Sequence, residues 1–176
     1  MYPLTSSQRE IWFDQLLHAE LPLYNIGGYT KLAGAIDPDL FQQAIVLLVQ
    51  KHDALRLVLT DTLDEDGVPM QQFLPQVPVA VEMRDFSQAE NPETAALAWM
   101  QARFITPFDL QGKPLFRYGL IKVTAEHYYF SLQYHHLIVD GFAIALINQS
   151  LAAIYTDLLH NKAIYLDSPI PKLCEI

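Results

Sequence analysis

Two extended apolar runs, Leu115 to Val123 and His127 to His136, are separated only by Thr124 to Glu126. This pair constrains the fold more than any other feature. Runs rich in Tyr, Phe, Leu and Ile read as strands, and a connection this short joins them as an antiparallel pair. A long apolar-faced helix, about Gly141 to Leu159, follows directly. The chain therefore has to build a sheet around the pair and cover it with helices.

The remaining segments alternate in the same way. Thr5, Ser6 and Ser7 are candidate N-caps for a helix carrying Ile11, Trp12, Leu16 and Leu17. Gly27 to Ala33 reads as a short strand. Asp37-Pro38 is a cap followed by a first-turn proline, after which Leu40, Phe41, Ala44, Ile45, Leu48 and Val49 recur at helical spacing. Leu55 to Leu59, Met70 to Leu74 and Val77 to Met83 read as strands, the first two joined by a polar turn at Asp64-Glu65-Asp66-Gly67. Asn91-Pro92 repeats the cap-plus-proline signal before a helix with Ala95, Leu97, Ala98, Met100 and Phe104. The sum is an α/β fold, an α+β two-layer sandwich whose mixed or largely antiparallel sheet is packed by helices.

Composition narrows the function. A chain of 176 residues fits one domain, and 51% hydrophobic with 18% charged residues excludes a disordered tail. The net charge of −9 argues against nucleic acid and anionic membranes, which reward clustered Lys and Arg. The one cysteine, Cys174, excludes an internal disulfide and a cysteine-based metal site. Met1 to Thr5 lacks the basic and apolar regions of a secretory signal, and the run Ala44 to Val49 is too short to span a bilayer, so a cytoplasmic location is expected.

Chemistry concentrates at Tyr134-His135-His136-Leu137-Ile138-Val139-Asp140-Gly141, where a strand ends and a helix begins. Side chains alternate across a strand, so Phe130, Leu132, Tyr134 and His136 share one face while Ser131, Gln133 and His135 share the other. The adjacent histidines point apart. They have different jobs, and a metal site built from both is disfavoured. An imidazole at a strand end can accept and return a proton, which makes His136 the candidate catalytic group; the strand alone leaves open a core histidine satisfied by backbone. His135 reads as structural. Asp140 is either a plain N-cap or a buried carboxylate in need of a cation. Gly141 permits close approach at a helix N-terminus, where N–H groups can hold negative charge.

His135-His136-Leu137-Ile138-Val139-Asp140-Gly141 resembles the HHxxxDG motif of the condensation domains of nonribosomal peptide synthetases. Two further motifs of that family have counterparts upstream, in order. Leu4 to Trp12 resembles the first, Ser-x-x-Gln-x-x-x-Trp, and Lys51-His52-Asp53-Ala54-Leu55-Arg56 resembles the second, with Lys51 and Asp53 as conservative departures. Pro107-Phe108-Asp109-Leu110 and Pro114-Leu115-Phe116-Arg117 resemble the run before the active-site strand.

The resemblance implies a chloramphenicol-acetyltransferase-like fold, of which residues 1–165 are the N-terminal lobe and 166–176 a connection toward a missing C-terminal lobe. It implies amide-bond formation: a carrier-bound aminoacyl amine attacks an upstream carrier-bound acyl thioester. His136 would be general base or positioning residue. Gly141 N–H would assist the oxyanion, Asp140 would pair with Arg56, and His135 would support the site. No cofactor is bound directly, since substrates ride on the phosphopantetheine of carrier proteins. The partners are then those carrier proteins and the C-terminal lobe, and an exposed lobe face is open to self-association. One lobe alone would be inactive. Paired histidines exclude a heterocyclising domain; an epimerisation domain, another HxxxDG acyltransferase and a non-catalytic carrier-docking module remain as alternatives. His52 looks structural, and His18, His127 and His160 match no functional position.

Overall fold

The hairpin forms as its short connection requires. In the computed structural model, which describes residues 1–164, the two strands are β5 (Phe116–Lys122) and β6 (His127–His135), paired antiparallel with Phe116 opposite Tyr134. In chain order the other elements are α1 (Ser6–Leu17), β1 (Asn25–Ala33), α2 (Pro38–Lys51), a 3-10 turn (Asp53–Arg56), β2 (Leu57–Leu63), β3 (Pro69–Phe73), β4 (Val81–Asp85), α3 (Pro92–Phe104) and α4 (Gly141–Leu159). The main sheet has the order β1-β6-β5-β4. β1 runs antiparallel to β6, and β4 runs parallel to β5 with α3 as the crossover between them. The sheet is therefore mixed, and β2 and β3 form a separate hairpin. The connection expected over 166–176 lies outside the described residues.

β6 sits between two strands and is buried from Tyr128 to its last residue, His135. One face of the sheet meets α2 and α4: Phe41 packs edge-on against Phe130, and Ile45, Leu48, Ile147 and Leu151 complete that core. The other face carries Ile121, Val123 and Tyr129 against Ala96 and Met100 of α3. Helices thus pack the sheet as expected, with α3 covering its second face as well. At Gly27 the φ angle is +138°, and a Cβ there would lie 2.2 Å from the carbonyl oxygen of Leu132. Only glycine lets β1 lie this close to β6.

Boundaries shift where side chains compete with the strand ladder. β2 begins at Leu57 rather than Leu55 because the chain first makes the 3-10 turn. β4 begins at Val81, not Val77, because the Gln42 side chain of α2 donates to Val79 O and accepts from Val81 N–H. In α1 the expected apolar residues divide between core and surface. Leu16 and Leu17 are exposed, Ile11 and Trp12 are half-buried, and the residues inside are Gln8 and Gln15.

α4 forms over Gly141–Leu159 as the long apolar-faced helix expected. Asn148, Gln149, Ser150 and Thr156 break up its apolar runs, yet by length and composition it could cross a membrane. Its Ile147, Leu151 and Ile154 stripe is locked into the core against the sheet. The outward face keeps Phe142, Leu146 and Leu159 exposed.

Candidate active site

The site grows from the end of β6. His135 is the last strand residue and is fully buried; the chain then turns through His136, Leu137 and Ile138 before α4. Because the strand stops at His135, His136 belongs to the turn and not to the Phe130–Leu132–Tyr134 face. It is exposed, which removes the core-histidine reading. Its backbone N–H donates to Tyr24 O at 2.8 Å, just before β1.

His135 lies between aromatic rings, 5.9 Å from Tyr24 and 6.1 Å from Phe108. Its Nδ1 accepts from Leu137 N–H at 3.2 Å, and its Nε2 faces Gln15 Oε1 at 3.4 Å. Burial, with a smaller contribution from the neighbouring His136, pushes this imidazole down to about 4. It is neutral at pH 7 and packed into the interior.

Asp140 caps α4, its Oδ1 accepting from Ala143 N–H at 2.7 Å. It is exposed, and among the described residues it makes no ion pair. The expected Arg56–Asp140 pair therefore does not form. Arg56 closes its own 3-10 turn by pairing with Asp53 and donates to Leu74 O at 2.7 Å across the β2–β3 hairpin. Those partners are close in sequence or in the adjoining hairpin, and they hold the guanidinium away from the turn. Among the described residues Arg56 makes no hydrogen bond or ion pair with His135, His136 or Asp140.

A Cβ at Gly141 would meet nothing within 4 Å, and its φ is not left-handed. The fold of the described residues does not require glycine there. Open space at the N-terminus of a 19-residue helix leaves room for a ligand's approach. His52 is partly buried with no partner on Nε2, while His18, His127 and His160 are exposed at helix or strand ends.

Sequence reasoning passed over Gln15 and Tyr24. Gln8 and Gln15 are seven residues apart and share a helix face, a signal that was present but that apolar periodicity does not score. Tyr24 acts through its backbone carbonyl, which no residue pattern reveals.

The segment thus sets a buried, neutral first histidine, an exposed second one and a capped helix N-terminus side by side. A model of the Condensation domain family matches residues 1–169. The chain belongs to the condensation domain family. It is 32% identical over 158 residues to the dimodular nonribosomal peptide synthase of Bacillus subtilis (strain 168), covering 90% of this chain and 6% of that protein. Tyrocidine synthase 3 of Brevibacillus parabrevis is 34% identical over 88% of this chain and 2% of that protein. Among solved structures, the starter condensation domain of rhizomide synthetase RzmA superposes with a TM-score of 0.90 at 31% identity, over 99% of this chain and 41% of that one. The first condensation domain of the CDA synthetase gives 0.85 at 27%, over 93% and 42%. The chain thus spans about two-fifths of the solved condensation domain chains and a small part of the curated synthetases.

Proposed function

We propose that this chain is the N-terminal lobe of a cytoplasmic, amide-bond-forming condensation domain that works between two carrier proteins. The exposure of His136 on a turn pinned by buried His135 carries this reading. An α-amine has a pKa near 8, so at pH 7 roughly nine-tenths of it is protonated and cannot attack. His136 takes the proton, or holds the amine in line. The amine nitrogen then bonds to the thioester carbonyl carbon, and the thiolate of the upstream carrier leaves and is protonated. Gly141 N–H has no acceptor among the described residues and would donate to the developing oxyanion. A rhizomide synthetase starter domain variant has been solved in complex with C8-CoA and Leu-SNAC, which supports a site receiving an acyl and an aminoacyl group together.

The outward faces of α4 and α1, with Phe142, Leu146, Phe13 and Leu17 exposed, would meet the C-terminal lobe or another copy. One lobe supplies His136 and one wall, and by itself forgoes most of the positioning that makes the reaction fast. The test is reconstitution of the complete protein with both carriers loaded, reading condensed product by mass spectrometry. Product from wild type and none from His136→Ala is the expected result. Full activity in His136→Ala, or product from the single lobe at the intact rate, would overturn the reading.

A further inference from the structure

The inward face of α1 is built of amides. Gln8 and Gln15 are 6% and 5% exposed; Gln8 reaches the turn that carries His136 at Leu137 O, and Gln15 reaches His135 just before it. Gln8 meets its full hydrogen-bonding capacity. Its Nε2 donates to Gln71 Oε1 at 3.0 Å and to Leu137 O at 3.2 Å, and its Oε1 accepts from Thr5 N–H and from Gln71 Nε2. Gln71 is itself tied to Pro3 O at 2.9 Å.

Gln15 is equally constrained. Its Nε2 donates to His18 O at 2.8 Å and Leu21 O at 3.0 Å, two groups that can only accept. The amide therefore cannot be reversed, and Oε1 is the atom turned to His135. At the far side of the same ring, Leu137 N–H can only donate, so Nδ1 must be the unprotonated nitrogen. The ring proton is left on Nε2, aimed at Gln15 Oε1. Leu137 is thus gripped at its N–H through His135 and Gln15, and at its C=O by Gln8.

We propose that Gln15 is a positioning residue, with Gln8 as its second anchor: it fixes the Nε2–H form of His135, and through it the turn that presents His136 to substrate. This rests on His136 being the reacting group. Gln15 touches no substrate; its effect passes through His135 and Leu137.

Two variants separate positioning from simple packing. Gln15→Met keeps length and apolar bulk but loses the acceptor. Gln15→Glu keeps the acceptor oxygen, and when protonated its hydroxyl also restores a donor toward the His18 and Leu21 carbonyls. In the complete domain with loaded carriers, Gln15→Met should lower kcat on the order of 10- to 100-fold with KM nearly unchanged, at every pH. Gln15→Glu should be impaired at high pH and climb toward the wild-type rate, compared at each pH, as the introduced carboxyl gains its proton. A wild-type rate in Gln15→Met, or a pH-independent deficit in Gln15→Glu matching it, would overturn the proposal.

A measurement on the wild-type chain reads the ring itself. With 15N-labelled histidine, and His135→Gln to assign the signal, His135 should show a protonated Nε2 and a bare Nδ1. A proton on Nδ1 would overturn the assignment. The imidazole signal is read without turnover, so failure of the clamp and failure of His136 as the reacting group give different results.

Discussion

α1 and α2 are helices of similar length with opposite interiors. α2 buries Phe41, Ala44, Ile45, Leu48 and Val49, a stripe at helical spacing that locks onto the sheet. α1 buries Gln8 and Gln15 and leaves Phe13, Leu16 and Leu17 outside. Burying apolar area stabilises without fixing direction. Burying an amide is tolerable only when every donor and acceptor finds its partner, and such a network specifies geometry closely. One helix locks onto the sheet, and the other makes directed hydrogen bonds to Leu137 and His135.

The largest expected effect breaks the comparison at the turn itself. His136→Ala should lower condensation by roughly 10²- to 10⁴-fold, the range for a lost acid–base group, while leaving the denaturation midpoint unchanged because the side chain is exposed. Leu48→Ala should do the reverse. It should cost about 2–5 kcal/mol in urea unfolding, since Leu48 is fully buried, and lower activity only through the folded fraction. If His136→Ala destabilised as much as Leu48→Ala, the division between the two regions would be wrong.

The pH dependence of stability sharpens the comparison next. The native His135 imidazole takes a proton near 4 because burial disfavours its charge, whereas an unfolded histidine does so near 6.5. Between those values the unfolded state binds more protons, so stability falls as pH falls. The difference amounts to roughly 3 kcal/mol once pH is below 4, from a shift of about 2.5 pH units. His52, also lowered by burial, adds in the same sense. Urea titrations at pH 7 and 4.5 should show the loss in wild type and a smaller loss in His135→Gln. Equal losses would mean that His135 is not the group responsible.

What was legible follows from which forces leave periodic marks. α2, the β5–β6 hairpin and α4 were readable because apolar spacing, Pro after a cap and a short turn are local signals. The capping box at Thr5 and Gln8 was half-readable: the cap was seen, but the buried amides Gln8 and Gln15 were not. The strand limits at Leu57 and Val81 were set by a 3-10 turn and by the Gln42 side chain. The ordered motifs pointed to the His135–Gly141 segment, in which His136 is exposed and His135 buried. Gln15 and the Tyr24 carbonyl were not legible, because their contacts join segments far apart in sequence.

β1 is where a backbone constraint meets the same turn. Gly27→Ala should cost about 1–3 kcal/mol from the forbidden φ alone, with the contact to Leu132 O pushing it toward the upper end. Since Asn25 pairs with His135 two residues away, activity should fall beyond what lost stability explains. Gly28→Ala is the control: a Cβ there meets nothing within 4 Å, and neither stability nor rate should move far.

The smallest expected effect corrects the Arg56–Asp140 reading. A buried ion pair, once broken, would cost about 3–5 kcal/mol. Asp140 is exposed and its carboxylate caps α4 through Ala143 N–H, so Asp140→Ala should cost about 1 kcal/mol. Asp140→Asn and Asp140→Ser should recover most of that, because either side chain still offers an oxygen to the helix N-terminus. Arg56→Met should be independent of it, since Arg56 answers to Asp53 and Leu74 O. The double variant should therefore lose the sum of the two single losses. A coupling near the full value of either single change would return Arg56 to the site and make Asp140 its partner, and additivity would leave Asp140 as the cap that starts α4 beside His136.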